Sequence, residues 1–268
     1  MITADYHVHS AFSTDSTAPM EEMVEKAIAL GLERICFTDH MDYDYPGVKE
    51  GDFTFQPDEY LTKLTHLTKQ YKDKIKILHG IELGLKPYLK ERYDQLLQEY
   101  PFDFVIGSSH LVDNEDPYFA PFWQNRTDAE GLRRYFETIK ENALSFDNFD
   151  VYGHLDYIIR YVPSKNTCYD YDTHETVIEE ALKAIIETGK GIEVNTSGYK
   201  YGLGHAHPKE EIIKRYLELG GTIITIGSDA HKPEHLAYDF TEARNMLQSL
   251  GVKEYTVFEN RTPIFLPL

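Results

Sequence analysis

The chain has 268 residues, 41% of them hydrophobic and 13% aromatic, enough to bury a barrel-sized α/β core and too apolar for a disordered chain. A formal net charge of −18 and the lack of any Lys/Arg block work against long-range capture of a nucleic-acid backbone. Two isolated cysteines, Cys36 and Cys168, leave a disulfide framework unexpected and fit a reducing cytosol, and no apolar run approaches the roughly 18 residues that span a bilayer.

The first apolar run, 3–7, predicts a strand ending in His7 and His9. Two residues apart on a strand, they share a face with Cα atoms roughly 7 Å apart, so both imidazoles can converge on one ion. As core residues, each would need its own hydrogen-bond partner in an apolar interior. No signal-peptide pattern opens the chain, and cleavage of a leader would remove His7 itself. A Ser/Thr-rich loop, 10–17, carries Asp15, which reads either as a helix cap or as a ligand. A helix from Pro19 stops at Gly31, and the second strand, 34–38, ends at Asp39 and His40. Pro57 opens a helix to Lys72. The third strand, 75–79, stops short of Glu82, which lies between Gly80 and Gly84. The fourth, 102–106, leads through two serines to His110. Thr127 and Glu130 then form a capping-box pattern before a helix that reaches about Phe146. The fifth strand, 151–153, ends at His154, with Asp156 just beyond. A helix over 173–188, a strand over 191–195, a helix over 208–219 and a strand over 222–226 follow. Asp229 and His231 end that last strand, and a helix over 233–250 comes next. Residues 255–258 make a weak eighth strand.

Strand and helix in alternation predict a parallel α/β sheet closed into a distorted, seven-stranded TIM-like barrel, with ligands at the C-terminal ends of its strands. Imidazoles and carboxylates without thiolates suit hydrolytic zinc, iron or manganese. Glu82 is the best candidate for a shared ligand, since a carboxylate can bridge two cations. Asp39 and Asp156 are read as ligands or as groups that orient a histidine. His66, His79, His174 and His235 read as ordinary, and His205 and His207, in YGLGHAHP, as loop or substrate contacts. The Tyr- and Asp-rich loops 41–55, 112–126 and 156–172 face the substrate.

In order, HVHSAFSTD, FTDH, a strand-end glutamate, SSH, GHLD and SDAH resemble the motifs of the polymerase and histidinol phosphatase (PHP) family. HGIELG, NTSG and SDAH resemble its L-histidinol-phosphate phosphatase branch, and the resemblance spans His7 to His231. It implies one barrel domain over 1–268 with three divalent ions, zinc, manganese or iron. One ion would take His7, His9, Glu82 and Asp229. A second would share Glu82 and take His110 and His154, and the third would take Asp15, His40 and His231. Some relatives carry His at the position of Asp15, which leaves the third ion's identity open.

The implied reaction is hydrolysis of L-histidinol phosphate to L-histidinol and phosphate, in histidine biosynthesis, by attack of a metal-bridging hydroxide on phosphorus. Glu82, Asp229 and Arg160 are expected to carry it. Arg160 and, less directly, Lys200 would bind the phosphate. Asp42, Asp44 and Glu115 would receive the ammonium and imidazole of the substrate. The alternatives are a PHP phosphoesterase acting on nucleotides or other small phosphates, a metal-dependent amidohydrolase, and a barrel that binds metal without chemistry. The expected partner is therefore a small phosphorylated molecule, with neither nucleic acid nor membrane, in the cytoplasm.

Overall fold

A computed structural model describes residues 1–49, 51–164 and 169–268. Cys168 lies outside the described residues, as does part of the 156–172 loop, while Cys36 is buried and unpaired. Seven parallel strands form the frame. They are β1 (Ala4–Val8), β2 (Arg34–Phe37), β4 (Lys76–Gly84), β5 (Phe104–Ser108), β6 (Val151–Tyr152), β7 (Gly191–Asn195) and β8 (Ile224–Gly227), hydrogen-bonded in that order. A two-residue strand, β3 (His40–Met41), pairs with β4 off this path. The sheet nearly closes on itself, because Val8 bridges Ala230 and the His9 amide donates to the Ala230 carbonyl at 2.9 Å. Every residue of β1, β5, β7 and β8 is buried. That continuous burial is what a parallel sheet covered on both faces requires.

The helices turn one apolar stripe inward. In α1 (Met20–Ala29) the buried residues are Met20, Met23, Val24 and Ala27, at helical spacing. α2 spans Pro57–Tyr71 and buries Tyr60, Leu64, Leu67 and Tyr71. A helix α3 over Lys90–Glu99, absent from the expected elements, follows β4. After a single turn, α4 (Ala120–Trp123), comes α5 (Asp128–Ser145). Its capping box forms as expected: the Thr127 side chain accepts from the Glu130 amide, and the Glu130 carboxylate accepts from the Thr127 amide. α6 (Tyr171–Glu187), α7 (Ser197–Lys200), α8 (Glu210–Glu218) and α9 (Phe240–Ser249) follow among the described residues.

Three expected elements differ. β4 runs to Gly84, so Glu82 lies within a strand, because pairing with β3 (His40 opposite Glu82) and with β5 (Gly84 opposite Ser108) prolongs the ladder. The helix over 233–250 is broken into a 3-10 turn at Pro233–His235 and α9. Between them Ala237 and Asp239 have positive φ, and the Ala237 amide donates to the buried Asp5 carboxylate at 3.0 Å. The weak eighth strand is β9 (Glu254–Glu259), but it pairs antiparallel with β10 (Thr262–Pro267) in a separate hairpin. The barrel is already closed by β1 and β8, so β9 has no free barrel edge to join. The hairpin instead packs Phe258 against Phe104, accepts the Tyr6 hydroxyl at the Phe258 carbonyl, and ties Arg261 to Asp150 ahead of β6. Among the described residues, no helix is long and apolar enough to cross a membrane.

Candidate metal centre

His7, inside β1, and His9, one residue past it, turn their rings to the same side, with their Nε2 atoms 3.0 Å apart. Both rings are oriented from behind. His7 Nδ1 lies 2.6 Å from Glu193 Oε1, and His9 Nδ1 lies 3.0 Å from the Ser13 hydroxyl, which itself donates to Asp39. These partners put a proton on each Nδ1, so that Nε2 is the nitrogen turned toward the centre. Asp39 therefore orients His9 through Ser13, and also accepts from the Ser10 amide and hydroxyl.

Glu82 is fully buried and divides its two oxygens between two groups of imidazoles. Its Oε2 lies 3.2 Å from His7 Nε2, 3.5 Å from His9 Nε2 and 3.1 Å from His40 Nδ1. Its Oε1 accepts from the Ser108 hydroxyl at 2.7 Å, with His110 Nε2 at 3.2 Å and His154 Nε2 at 2.9 Å. Asp229, whose φ of 53° is the strained left-handed conformation often found at functional positions, brings Oδ1 to 3.6 Å from His9 Nε2 and 3.5 Å from His231 Nδ1. Asp15 closes the outer end, 3.1 Å from His231 Nε2 and 3.7 Å from His40 Nε2. All nine expected ligands thus meet in one place.

The donors fit divalent cations. Four sets of three ligand atoms lie within 4.8 Å of one another: His7/His9/Glu82, Glu82/His110/His154, His9/His40/His231 and His40/Asp42/His110. Glu82 Oε2 and His40 Nδ1 are buried and face each other at 3.1 Å without an aligned hydrogen bond, an arrangement that a cation between them would satisfy. Burial would raise the carboxyl of Glu82, but His7, His110 and His40 outweigh it and hold the group well below the usual carboxylate range. Burial, reinforced by His231, His40 and His7, keeps His9 well below its usual value and so neutral.

Burial lowers His110, yet Asp42 and Glu82 outweigh it and raise the group to about 10. His7 and His40 are raised in the same way, His7 by Glu193 and Glu82 and His40 by Asp15 and Glu82, against burial. These carboxylates hold protons on imidazoles where a cation would replace them, so metal uptake is expected to release protons and to weaken as pH falls. The sign for stability follows. A histidine raised in the folded state stabilises the metal-free fold fully below about pH 6.5, and the gain is lost as pH rises toward His110's value of about 10. Thermal melts of the chelated protein should therefore fall across that window while the metal-loaded protein changes less; parallel curves would contradict it.

Two supporting residues carry no motif. Glu193, inside β7, holds His7 through Oε1 and accepts the His154 amide through Oε2 at 2.9 Å. Gly227 on the neighbouring strand makes room for this pair, since a Cβ there would come within 2.3 Å of the His7 Cβ and 2.5 Å of Glu193 Oε1. The signal available was the polar alternation of Glu193 and Asn195 in an otherwise apolar strand. Glu193→Gln should weaken metal binding by about 10- to 100-fold in a competition titration with a chelator; unchanged affinity would remove Glu193 from this role.

A cleft of about 670 Å³ opens over the ligands, walled by Tyr45, Phe53, Tyr118, Tyr157, Tyr161 and Tyr201. Arg160 reaches into it from a 3-10 turn, Tyr157–Arg160, with its guanidinium 4.4 Å from the Tyr201 ring centre and NH2 3.1 Å from Asp229 Oδ2. Lys200 lines the same cleft, and its Nζ donates to the Asp229 carbonyl at 3.2 Å.

Of the acidic residues expected at the substrate, Asp42 lines the cleft, while Asp44 and Glu115 lie outside its lining. Asp42 is buried and holds His110 Nδ1 at 2.6 Å, so it orients a ligand. Gly84 leaves space for it, as a Cβ there would lie 2.6 Å from that carboxylate. Asp44 pairs with Arg92, and Glu115 pairs with Arg126 at 2.7 Å outside the cleft. The neighbouring Asp116 lines the cleft instead, accepting the Tyr45 hydroxyl at 2.7 Å. Asp156 does orient a histidine, but it is His207, a buried residue that the loop reading placed against substrate. His235, read as ordinary, lines the cleft.

A parallel barrel that gathers histidines and carboxylates at the carboxyl ends of its strands, under an open cleft, defines a metal-dependent hydrolase of the TIM-like class. The model of the PHP domain family matches residues 5–197, and the chain belongs to that family. The histidinol-phosphatase of Lactococcus lactis subsp. lactis is 33% identical over 260 residues, 95% of this chain and 93% of that protein. The crystal structure of histidinol phosphate phosphatase from the same organism, complexed with zinc, L-histidinol and phosphate, superposes with a TM-score of 0.90 at 32% identity, over 98% of both chains. A candidate histidinol phosphatase from Listeria monocytogenes, at 19% identity and a TM-score of 0.76, shares the fold over 89% of this chain and 99% of that one.

Proposed function

We propose that the chain is a metal-dependent phosphomonoesterase that hydrolyses L-histidinol phosphate to L-histidinol and phosphate, a step of histidine biosynthesis in the cytoplasm, and that residues 1–268 work as one barrel domain. The observation that carries this reading is the bridging position of Glu82, with His7, His9 and His40 at one oxygen and His110 and His154 at the other. Three divalent ions, zinc, manganese or iron, would be held by His7, His9, Glu82 and Asp229, by Glu82, His110 and His154, and by Asp15, His40 and His231. When bound, such ions lower the pKa of water and polarise phosphoryl oxygens.

The chain's own residues do the rest. Glu193, Ser13 and Asp42 keep the rings of His7, His9 and His110 turned inward. Arg160 sits beside Asp229 with Nε given to His207 and NH2 to Ser197 and Asp229, which leaves NH1 to donate to the phosphoryl oxygens. Lys200 adds a positive charge on the same side of the cleft. The aromatic walls exclude water from the ester and offer faces to the substrate's imidazole, while the Asp116 carboxylate takes its ammonium.

The test is phosphate release from L-histidinol phosphate, with AMP and p-nitrophenyl phosphate as comparators, after reconstitution with Mn, Fe or Zn. Strong selectivity for histidinol phosphate that is lost on chelation is the expected result. Metal-dependent activity that prefers the comparators would instead make the chain a phosphoesterase of other small phosphates.

A further inference from the structure

His207 was left without a role by the ligand set, yet it is among the most completely enclosed polar residues of the chain, with no solvent exposure. Its backbone is fastened to the end of β7 in both directions: the Asn195 amide donates to the His207 carbonyl at 2.7 Å, and the His207 amide donates back at 2.8 Å. The ring has a partner on each nitrogen. Nδ1 faces the buried Asp156 carboxylate, which also accepts from the Tyr169 hydroxyl at 3.0 Å and the Lys209 amide at 2.9 Å. Arg160 Nε donates to His207 Nε2 at 3.0 Å. An arginine cannot accept a hydrogen bond, so the Nε2 it meets carries a lone pair and Nδ1 carries the proton. Burial and the nearby guanidinium outweigh Asp156 and keep the imidazole neutral, at about 4.

We infer that His207 is a positioning residue for phosphate: with Asp156 behind it, its Nε2 aims the Arg160 guanidinium at the phosphoryl site beside Asp229. The inference rests on the reading above in which Arg160 takes the phosphoryl group. An arginine side chain has many rotamers, and in an open cleft most of them would point its fork away from the metal ligands. A dedicated acceptor at Nε, with Ser197 and Asp229 at NH2, leaves one orientation. The rings of Tyr157 and Tyr201, with centres 5.1 and 4.4 Å from the guanidinium carbon, hold the charge in place but give it no direction, which is the part a directional hydrogen bond supplies.

The decisive measurement is the affinity of the metal-loaded protein for inorganic phosphate by titration calorimetry, with kcat and KM for L-histidinol phosphate and metal content beside it. His207→Leu should weaken phosphate binding by about 10-fold and lower kcat/KM by roughly 10- to 100-fold, the range expected when a charged group is displaced by about 1 Å, with metal content unchanged. His207→Gln keeps a donor toward Asp156 and an acceptor toward Arg160, and should recover most of the loss. In an Arg160→Ala background, His207→Leu should cost nothing further, because both changes remove the same aimed group. Equal losses with and without Arg160, or wild-type phosphate affinity in His207→Leu, would overturn the inference. Because inorganic phosphate is the probe, a protein that prefers another phosphate ester would leave this result intact and overturn only the substrate assignment.

Discussion

Glu82→Ala is expected to lower kcat/KM for phosphate release by more than about 10³-fold and to leave the protein unable to retain its full complement of ions. Glu82 is the carboxylate of the centre that touches both groups of imidazoles. Its Oε2 lies within 3.5 Å of His7, His9 and His40, and its Oε1 within 3.2 Å of His110 and His154. Alanine would remove the anion common to both groups and leave the five rings as mutually repelling donors in a buried space. Glu82→Gln is the sharper control, since it keeps an acceptor oxygen and the volume but halves the coordinating capacity and removes the charge. Metal content per chain after dialysis, together with the rate, decides the matter. Near-complete metal retention with activity within tenfold of the parent would mean that Glu82 does not bridge.

Arg160→Ala should cost about 10²- to 10³-fold in kcat/KM, the usual loss when a buried charge aimed at a developing anion is removed, but with the metals retained. The two variants are thus separated by metal content. Asp229 keeps its charge when Arg160 is lost and still faces His9 and His231, so ligation does not depend on the guanidinium. Arg160→Lys should recover little, because one ammonium cannot serve Ser197, Asp229 and a phosphoryl oxygen from fixed directions and has no Nε–H to give His207. Parameters within threefold of the parent in Arg160→Ala would move phosphate recognition to Lys200 and the ions.

Eight of the nine expected ligand positions were legible because each lies at or just past the end of a short apolar run, and His7/His9 keep the two-residue spacing that puts neighbours on one face of an extended chain, while Asp15, in a Ser/Thr-rich loop, was legible through the HVHSAFSTD motif. The barrel was legible for a related reason: strands buried on both faces are written as unbroken apolar runs, and the helices between them carry their own start and stop residues. The hairpin of β9 and β10 was misplaced because strand propensity says nothing of which edge is free, and closure of the barrel by Val8 and Ala230 leaves none.

What the amino-acid order determines by itself is the inventory of this centre, since residue type and local periodicity decide which groups end a strand and face the same way. What each group does there was decided by tertiary contacts between distant parts of the chain. Glu193 meets His7 across 186 residues, Asp42 meets His110 across 68, and Arg160 meets His207 across 47. The same holds for Asp116 standing in the cleft where Glu115 was expected, since Arg126 draws Glu115 aside. A carboxylate at a strand end can ligate, orient or bind substrate with equal chemical competence. Only the neighbour that folding sets 3 Å away selects among these, because hydrogen bonds and ion pairs in a low-dielectric interior act over contact distance.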